Sequence, residues 1–325
     1  MELRTGKISE NVLDRSVAKR LGKSACLKSR PGFQGGGSYL SVDPVTLRTG
    51  DAGFLAVTAA ANDLLAKGLR PCELQTVVLL PPGTQEQTLR DLEDQIAQAA
   101  RLYDVRITGG HTEVTGAVTR PVVTASCSGI PLLSDLPGVS AGVQVKPSPG
   151  MDLVVTKWAG LEGTYLLSLE KKEDLLSVLP YSIVSAGMQI RELLCVQKEA
   201  GILLQSGAAC ICHASGGGIL AALWKIGEQA GCGFEAELGA IPILQETIEI
   251  TDIFGLNPYA MASAGCLIAA VNDGDAVVQS LLDEGINAAC IGRLTESHDR
   301  KLSLDGEYQY VNLPAPDELV RVLDQ

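Results

Sequence analysis

The 325 residues are 46% hydrophobic and 20% charged, which excludes a disordered chain, and the length favours two domains over one. A formal charge of −12 without a Lys/Arg cluster argues against nucleic acid as a partner, and no uninterrupted run of about 18 apolar residues suggests a membrane span. A small phosphorylated ligand stays compatible with that charge, because magnesium and backbone amides offset it locally.

Residues 1–28 are polar and lack the apolar stretch of a signal sequence, so the expected location is cytoplasmic. An amphipathic helix is predicted around Glu10–Arg20, followed by a stretch rich in Gly, Ser, Lys and Arg that holds Cys26 and Lys28 and ends at Gly37. Tyr39, Leu40 and Val42 favour a strand over 38–42, with Asp43 just after it. Asp51 is placed to cap a helix over 52–67, with Gly68 and Pro71 ending it. The small residues Ala56–Ala61 predict close packing on a sheet or a partner subunit. Asn62 and Asp63 interrupt this apolar helix; burying that carboxylate alone is costly, so a metal or polar ligand is the expected compensation.

A strand over 74–80 and a Pro81-Pro82-Gly83 turn lead to a capping box, Thr84 with Gln87, that opens a helix reaching Tyr103. Leu89, Leu92, Ile96 and Ala99 or Ala100 mark its buried face. A strand over 105–108 runs into Gly109-Gly110-His111-Thr112-Glu113, taken as a loop whose amides can approach phosphate, with an ordinary turn as the alternative. After a strand over 121–127, the Pro, Gly and Ser content of 130–149 marks a domain boundary, dividing the chain into 1–144 and 145–325.

The second part predicts strands over 153–156, 208–212, near 234–238, 266–271 and 288–291. Helices are predicted over 163–169, 182–198, 217–230 and 276–284. This alternation implies a layered α/β or α+β unit. The nine cysteines lie mostly in apolar runs and are expected as buried thiols, Cys210 and Cys212 on one face of a strand; no zinc pattern is completed.

Magnesium takes one or two carboxylates from a protein while nucleotide and water complete its shell, and Asp43, Asp51, Asp63 and Glu113 are the candidates here. His111 and His213 are candidates for acid–base work or phosphate binding; a structural hydrogen-bonding role beside the Ser215-Gly216-Gly217-Gly218 loop is the alternative for His213.

In order along the chain, the following segments resemble the aminoimidazole-ribonucleotide (AIR) synthetase superfamily, nearest to its HypE-like branch: Val42-Asp43-Pro44, Gly50-Asp51-Ala52-Gly53, Asn62-Asp63-Leu64, Gly109-Gly110-His111-Thr112-Glu113, Gly160-Leu161-Glu162-Gly163-Thr164, Ser215-Gly216-Gly217-Gly218, Ile241-Pro242, Asn257-Pro258 with Ser263-Ala264-Gly265, and Ile291-Gly292-Arg293. The resemblance implies a two-domain α/β (α+β) fold. The N-terminal domains of a homodimer pair their sheets into a β-barrel, with Mg2+ and ATP in a groove near the layered C-terminal domain. It further implies metal binding by Asp43 and Asp63 and a nucleotide pocket that includes Asp51, Asn62, Gly109 to Glu113, Gly216 and Gly217. The implied activity is ATP-dependent phosphorylation or dehydration of a small amide-type or phosphate-containing acceptor. A non-catalytic dimeric homologue with a degenerate nucleotide groove, acting as a binding or maturation accessory, is the alternative.

The sequence departs from the family where Gly35-Gly36-Gly37-Ser38-Tyr39 carries no acid and where His213-Ala214-Ser215 lacks the Asp and Thr of the HypE branch. It also ends Leu323-Asp324-Gln325, without the terminal cysteine that receives a carbamoyl group in that branch, so that carbamoyl chemistry is not expected.

Overall fold

A computed structural model of the chain describes residues 39–132 and 145–324; the expected helix around Glu10–Arg20, the Cys26 and Lys28 segment and residues 133–144 of the expected boundary lie outside the described residues. In the first part, strands β1 (Tyr39–Val45), β2 (Leu69–Leu80), β3 (Arg106–Val114) and β4 (Val122–Pro131) form a sheet in the order β1-β4-β2-β3. Its pairs are antiparallel except for β2 with β3, which are parallel. Helix α1 (Ala52–Ala66) lies on one face, with Ala56, Ala60, Ala61 and Leu64 buried, and helix α2 (Glu86–Leu102) packs on α1 through Leu92, Ile96, Ala99 and Ala100. The close approach expected of the small residues is therefore made against the sheet. The opposite face exposes Leu40, Val42 and Val77.

Several boundaries move for reasons that lie outside the local sequence. β1 continues through Pro44 to Val45, so Asp43 sits within the strand, opposite Ala125 of β4. Proline is tolerated there because β1 is an edge strand. β2 starts at Leu69 and carries Pro71 at an irregularity in its pairing with β4, where a missing N–H costs least. Residues 109–113 are not a loop. Gly109, Gly110, His111, Thr112 and Glu113 extend β3 in parallel register with Gln75 to Leu79, because the longer β2 offers a ladder that the local glycines do not advertise. The capping box does not form either: Thr84 Oγ1 donates to the Pro81 carbonyl at 2.7 Å, completing the turn, and α2 begins at Glu86 without a side-chain cap.

The second part contains β5 (Asp152–Thr156), α3 (Leu161–Glu170), α4 (Lys172–Leu176), α5 (Tyr181–Gln189), α6 (Gln197–Gln205), β6 (Cys210–His213), α7 (Gly218–Ala230) and β7 (Gly233–Glu237). It continues with α8 (Gln245–Phe254), β8 (Leu267–Val271), α9 (Gly274–Asp283), β9 (Ala288–Thr295), β10 (Arg300–Leu304), β11 (Glu307–Tyr310) and α10 (Val320–Leu323). The sheet order is β11-β10-β7-β9-β5-β8-β6, mixed in direction. On one face α7 covers the sheet through Ile219, Leu223 and Ile226, in a core that includes Cys210 and Cys212, as their shared strand face requires. On the other face, Val154, Ile211 and Ala269 join Leu166, Leu203 and Leu281 in a core that runs without a break into Leu55, Leu65 and Val78 of the first part. The two halves thus meet through apolar surface.

The helix predicted over 182–198 is instead α5, a 3-10 turn over Ile190–Leu193, and α6. The cause is tertiary. Lys157 Nζ takes the carbonyls of Leu193 and Cys195, each at 2.7 Å, and the Asn62 amide takes that of Leu194, also at 2.7 Å, which draws these acceptors out of a helical ladder.

Candidate functional site

The Asn62-Asp63 pair of α1 faces the end of β6 in the second half. His213 Nδ1 lies 2.9 Å from Asp63 Oδ1, with the imidazole side chain 2% exposed and the carboxylate 29% exposed. Burial alone would raise the Asp63 carboxyl; the His213 hydrogen bond and charge, with Lys225 and Lys67 further out, overcome that and hold it well below the ordinary carboxylate range. The polar compensation expected for this carboxylate is therefore supplied within the chain, by a histidine 150 residues away in sequence.

His213 opens the Ser215-Gly216-Gly217-Gly218 loop that leads into α7. Gly217 and Gly218 have φ of 81° and 63°, and a Cβ on Gly218 would lie 2.4 Å from the Met261 carbonyl oxygen, so glycine is required there by both backbone and space. The loop also receives an anion: Gly217 N–H donates to Asp317 Oδ2 at 2.7 Å, while Leu319 N–H donates to the other oxygen at 3.0 Å. Burial raises the Asp317 carboxyl more than these amide bonds lower it. Beneath this contact is a cavity of about 190 Å3, lined among others by His213, Gly216, Trp224, Lys225, Pro314 and Asp317. A wider groove of about 840 Å3 elsewhere is lined by Leu102, Lys198 and Glu284 and includes none of these residues.

Glu162, at the first turn of α3, belongs to the same region. Burial and the nearby charge of Asp317 push its carboxyl up to about 7, with His213 and the Ala264 amide opposing and Asp43 reinforcing the rise. Asp317 near the C-terminus, His213 at the end of β6 and Asp43 in β1 thus all act electrostatically on Glu162 in α3. Neither Glu162 nor Asp317 stands out as a site residue in the sequence. Glu162 sits in the Gly160 to Thr164 segment that carried part of the resemblance, which was the available signal; Asp317 offered none. Among the described residues no three or more His, Cys, Asp or Glu side chains are grouped to hold a metal by themselves. A magnesium ion that shares one or two carboxylates with phosphate oxygens and water does not need such a group, and an ionised Asp63 with one oxygen engaged by His213 fits that donor set.

The other candidates fall into two groups. Asp51 precedes α1 but does not cap it with its side chain; its carboxylate accepts from Arg191 Nε at 2.6 Å and Tyr165 Oη at 2.7 Å, clamping the two halves while Arg191 stacks on Phe54. Asn62 is fully buried, and its amide is likewise shared with protein groups. Gly109, Gly110, His111, Thr112 and Glu113, by contrast, lie on the exposed edge strand β3, with His111 Nε2 3.2 Å from Glu113 Oε2. A Cβ on Gly110 would lie 2.6 Å from the Thr76 carbonyl oxygen, so this glycine serves the approach of β3 to β2.

Residues 36–131 match the family described as AIR synthase related protein, N-terminal domain, and residues 148–305 match its C-terminal domain. The carbamoyl dehydratase HypE of Rhodobacter capsulatus is 27% identical over 292 residues, covering 88% of this chain and 82% of that protein. Among solved structures, HypE of E. coli aligns with a TM-score of 0.72 at 23% identity, over 88% of each chain. A hydrogenase maturation protein HypE in complex with ATP aligns with a TM-score of 0.68 at 20% identity, over 96% of each chain. At these identities the structural likeness establishes the two-domain α/β fold.

Proposed function

Because the chain belongs to the AIR synthase related protein family through both of its halves, we propose that it binds Mg-ATP at the junction of those halves and uses it to phosphorylate or dehydrate a small amide-type or phosphate-containing acceptor, in the manner of a HypE-like protein. The observation that carries this reading is the Asp63 carboxylate, kept ionised by His213 where α1 meets the glycine loop of the second half. Bound magnesium would neutralise phosphate charge at this carboxylate, with Asp43 as a second protein ligand. The chain's own contribution is positioning. His213 orients Asp63, the exposed Gly216 backbone can approach an anion without Cβ interference, and Glu162, titrating near neutrality, can hold or release a proton beside them.

The functional unit in this reading is a homodimer. The uncovered sheet face, with Leu40, Val42 and Val77, and the exposed β3 with His111 and Glu113 support it, since both await a covering surface. A second copy laid there would enclose the Gly109 to Glu113 strand. Isothermal titration calorimetry tests the reading directly: ATP with magnesium is expected to bind saturably, and silence with ATP, ADP and AMP alike would sink it.

A further inference from the structure

Asn62 has its amide orientation imposed by a backbone carbonyl and a backbone N–H, which cannot exchange roles. Leu194 O accepts from Nδ2 at 2.7 Å, while the Val196 N–H and the Tyr103 hydroxyl donate to Oδ1 at 3.3 and 2.8 Å. Turning the amide over would set an oxygen against the Leu194 carbonyl and a nitrogen against the Val196 N–H. The second Nδ2 hydrogen is then left for His213 Nε2, at 3.5 Å. A donor facing Nε2 requires that nitrogen to accept, so the proton of the neutral ring belongs on Nδ1, where Asp63 Oδ1 receives it at 2.9 Å.

The turn that fixes the amide is itself braced. Lys157, in a left-handed backbone conformation at φ 56°, holds the carbonyls of Leu193 and Cys195 and pairs with buried Glu199 at 2.8 Å. The Leu193 to Val196 segment thus presents one carbonyl and one N–H to Asn62 in a set order.

We propose that Asn62 is a positioning residue that holds His213 in the Nδ1–H tautomer and thereby fixes one oxygen of Asp63, with the Lys157–Glu199 pair bracing the turn that sets the Asn62 amide. The use made of Asp63 rests on the Mg-ATP reading; the tautomer does not.

The test is long-range 1H–15N correlation of the histidine rings, read on the neutral imidazole. The chain has three histidines, of which His111 and His298 are exposed, and His213→Gln identifies the signal of the third. Wild type is expected to show the Nδ1–H form; an Nε2–H form, or the averaged shifts of a free ring, would overturn the proposal without any further variant. Asn62→Asp replaces the donor with an acceptor of the same shape and is expected to bring a proton onto Nε2 while Asp63 still holds the one on Nδ1; an unchanged ring would overturn it. Lys157→Met with Glu199→Leu removes both buried charges together, and is expected to shift the ring toward a tautomer mixture; an unchanged ring would remove the brace. Magnesium-dependent ATP affinity in Asn62→Asp is expected to fall about tenfold, as for other groups that orient a metal ligand. If wild type shows the Nδ1–H form but binds no nucleotide, the Mg-ATP reading fails and the positioning role stands.

Discussion

Two glycine-rich segments follow strands in this chain, and the structure uses them in opposite ways. After β6, Gly217 and Gly218 take left-handed conformations, Gly218 packs its backbone against Met261, and Gly217 aims its amide at a carboxylate. Gly109 and Gly110 stay extended on an exposed edge, where Gly109 has open space around its Cα and Gly110 lets β3 lie close to Thr76. Composition is the same in both; the sign of φ and the presence of a following helix separate an anion-receiving turn from a strand. The first segment is complete within one chain. The second presents His111 and Glu113 outward on an exposed edge.

The strongest way to break this contrast is to add one methyl group to each segment. Gly218→Ala is expected to cost about 3 kcal/mol in chemical denaturation, from a left-handed residue and a clash with the Met261 carbonyl. Gly109→Ala is expected to stay within about 0.5 kcal/mol of wild type. Comparable losses at both sites would show that the two segments are equally built in.

The acid beside the glycine loop sharpens the contrast through pH. Glu162 has a folded value raised from 4.5 to about 7, so its contribution to stability is full below 4.5 and is lost as pH rises through about 7. Glu162→Gln removes that titration. Relative to wild type, its stability should climb across this window by up to about 2 kcal/mol, allowing for partial solvent access. A difference that stays flat with pH would mean Glu162 is an ordinary surface acid. On the β3 side the expectation is the smallest: His111→Ala should leave thermal stability within about 0.5 kcal/mol of wild type, because its Glu113 contact is solvent-exposed.

What could be seen in the sequence follows the same divide. The Asp63 and Gly216–Gly217 segments drew attention in the sequence because a carboxylate in an apolar helix and glycines between a strand and a helix each carry a local cost or conformation that demands an explanation, whereas Asp43 was placed just past a strand that in fact continues through it. Asp51 gave a misleading signal. Its position suits an N-cap, and only the remote Arg191 and Tyr165 show that its charge serves the junction of the halves. The break after α5 was invisible, since Lys157 and Asn62, which withdraw its carbonyls, are distant in sequence. Asp317 was illegible for a similar reason: a carboxylate near the C-terminus says nothing of the Gly217 amide 100 residues earlier that it meets. Edge strand β3 was mistaken for a loop because two glycines lower strand propensity, while the eight-residue pairing with β2 that overrides them is non-local.

The most direct measurement is a matched calorimetric titration of ATP into wild type and Asp63→Asn at several magnesium concentrations. Asp63→Asn is expected to lose at least about tenfold in affinity and most of its dependence on magnesium. An Asp63→Asn protein that stays folded and binds ATP with unchanged affinity and unchanged magnesium dependence would contradict the placement of the nucleotide at the Asp63–His213 junction.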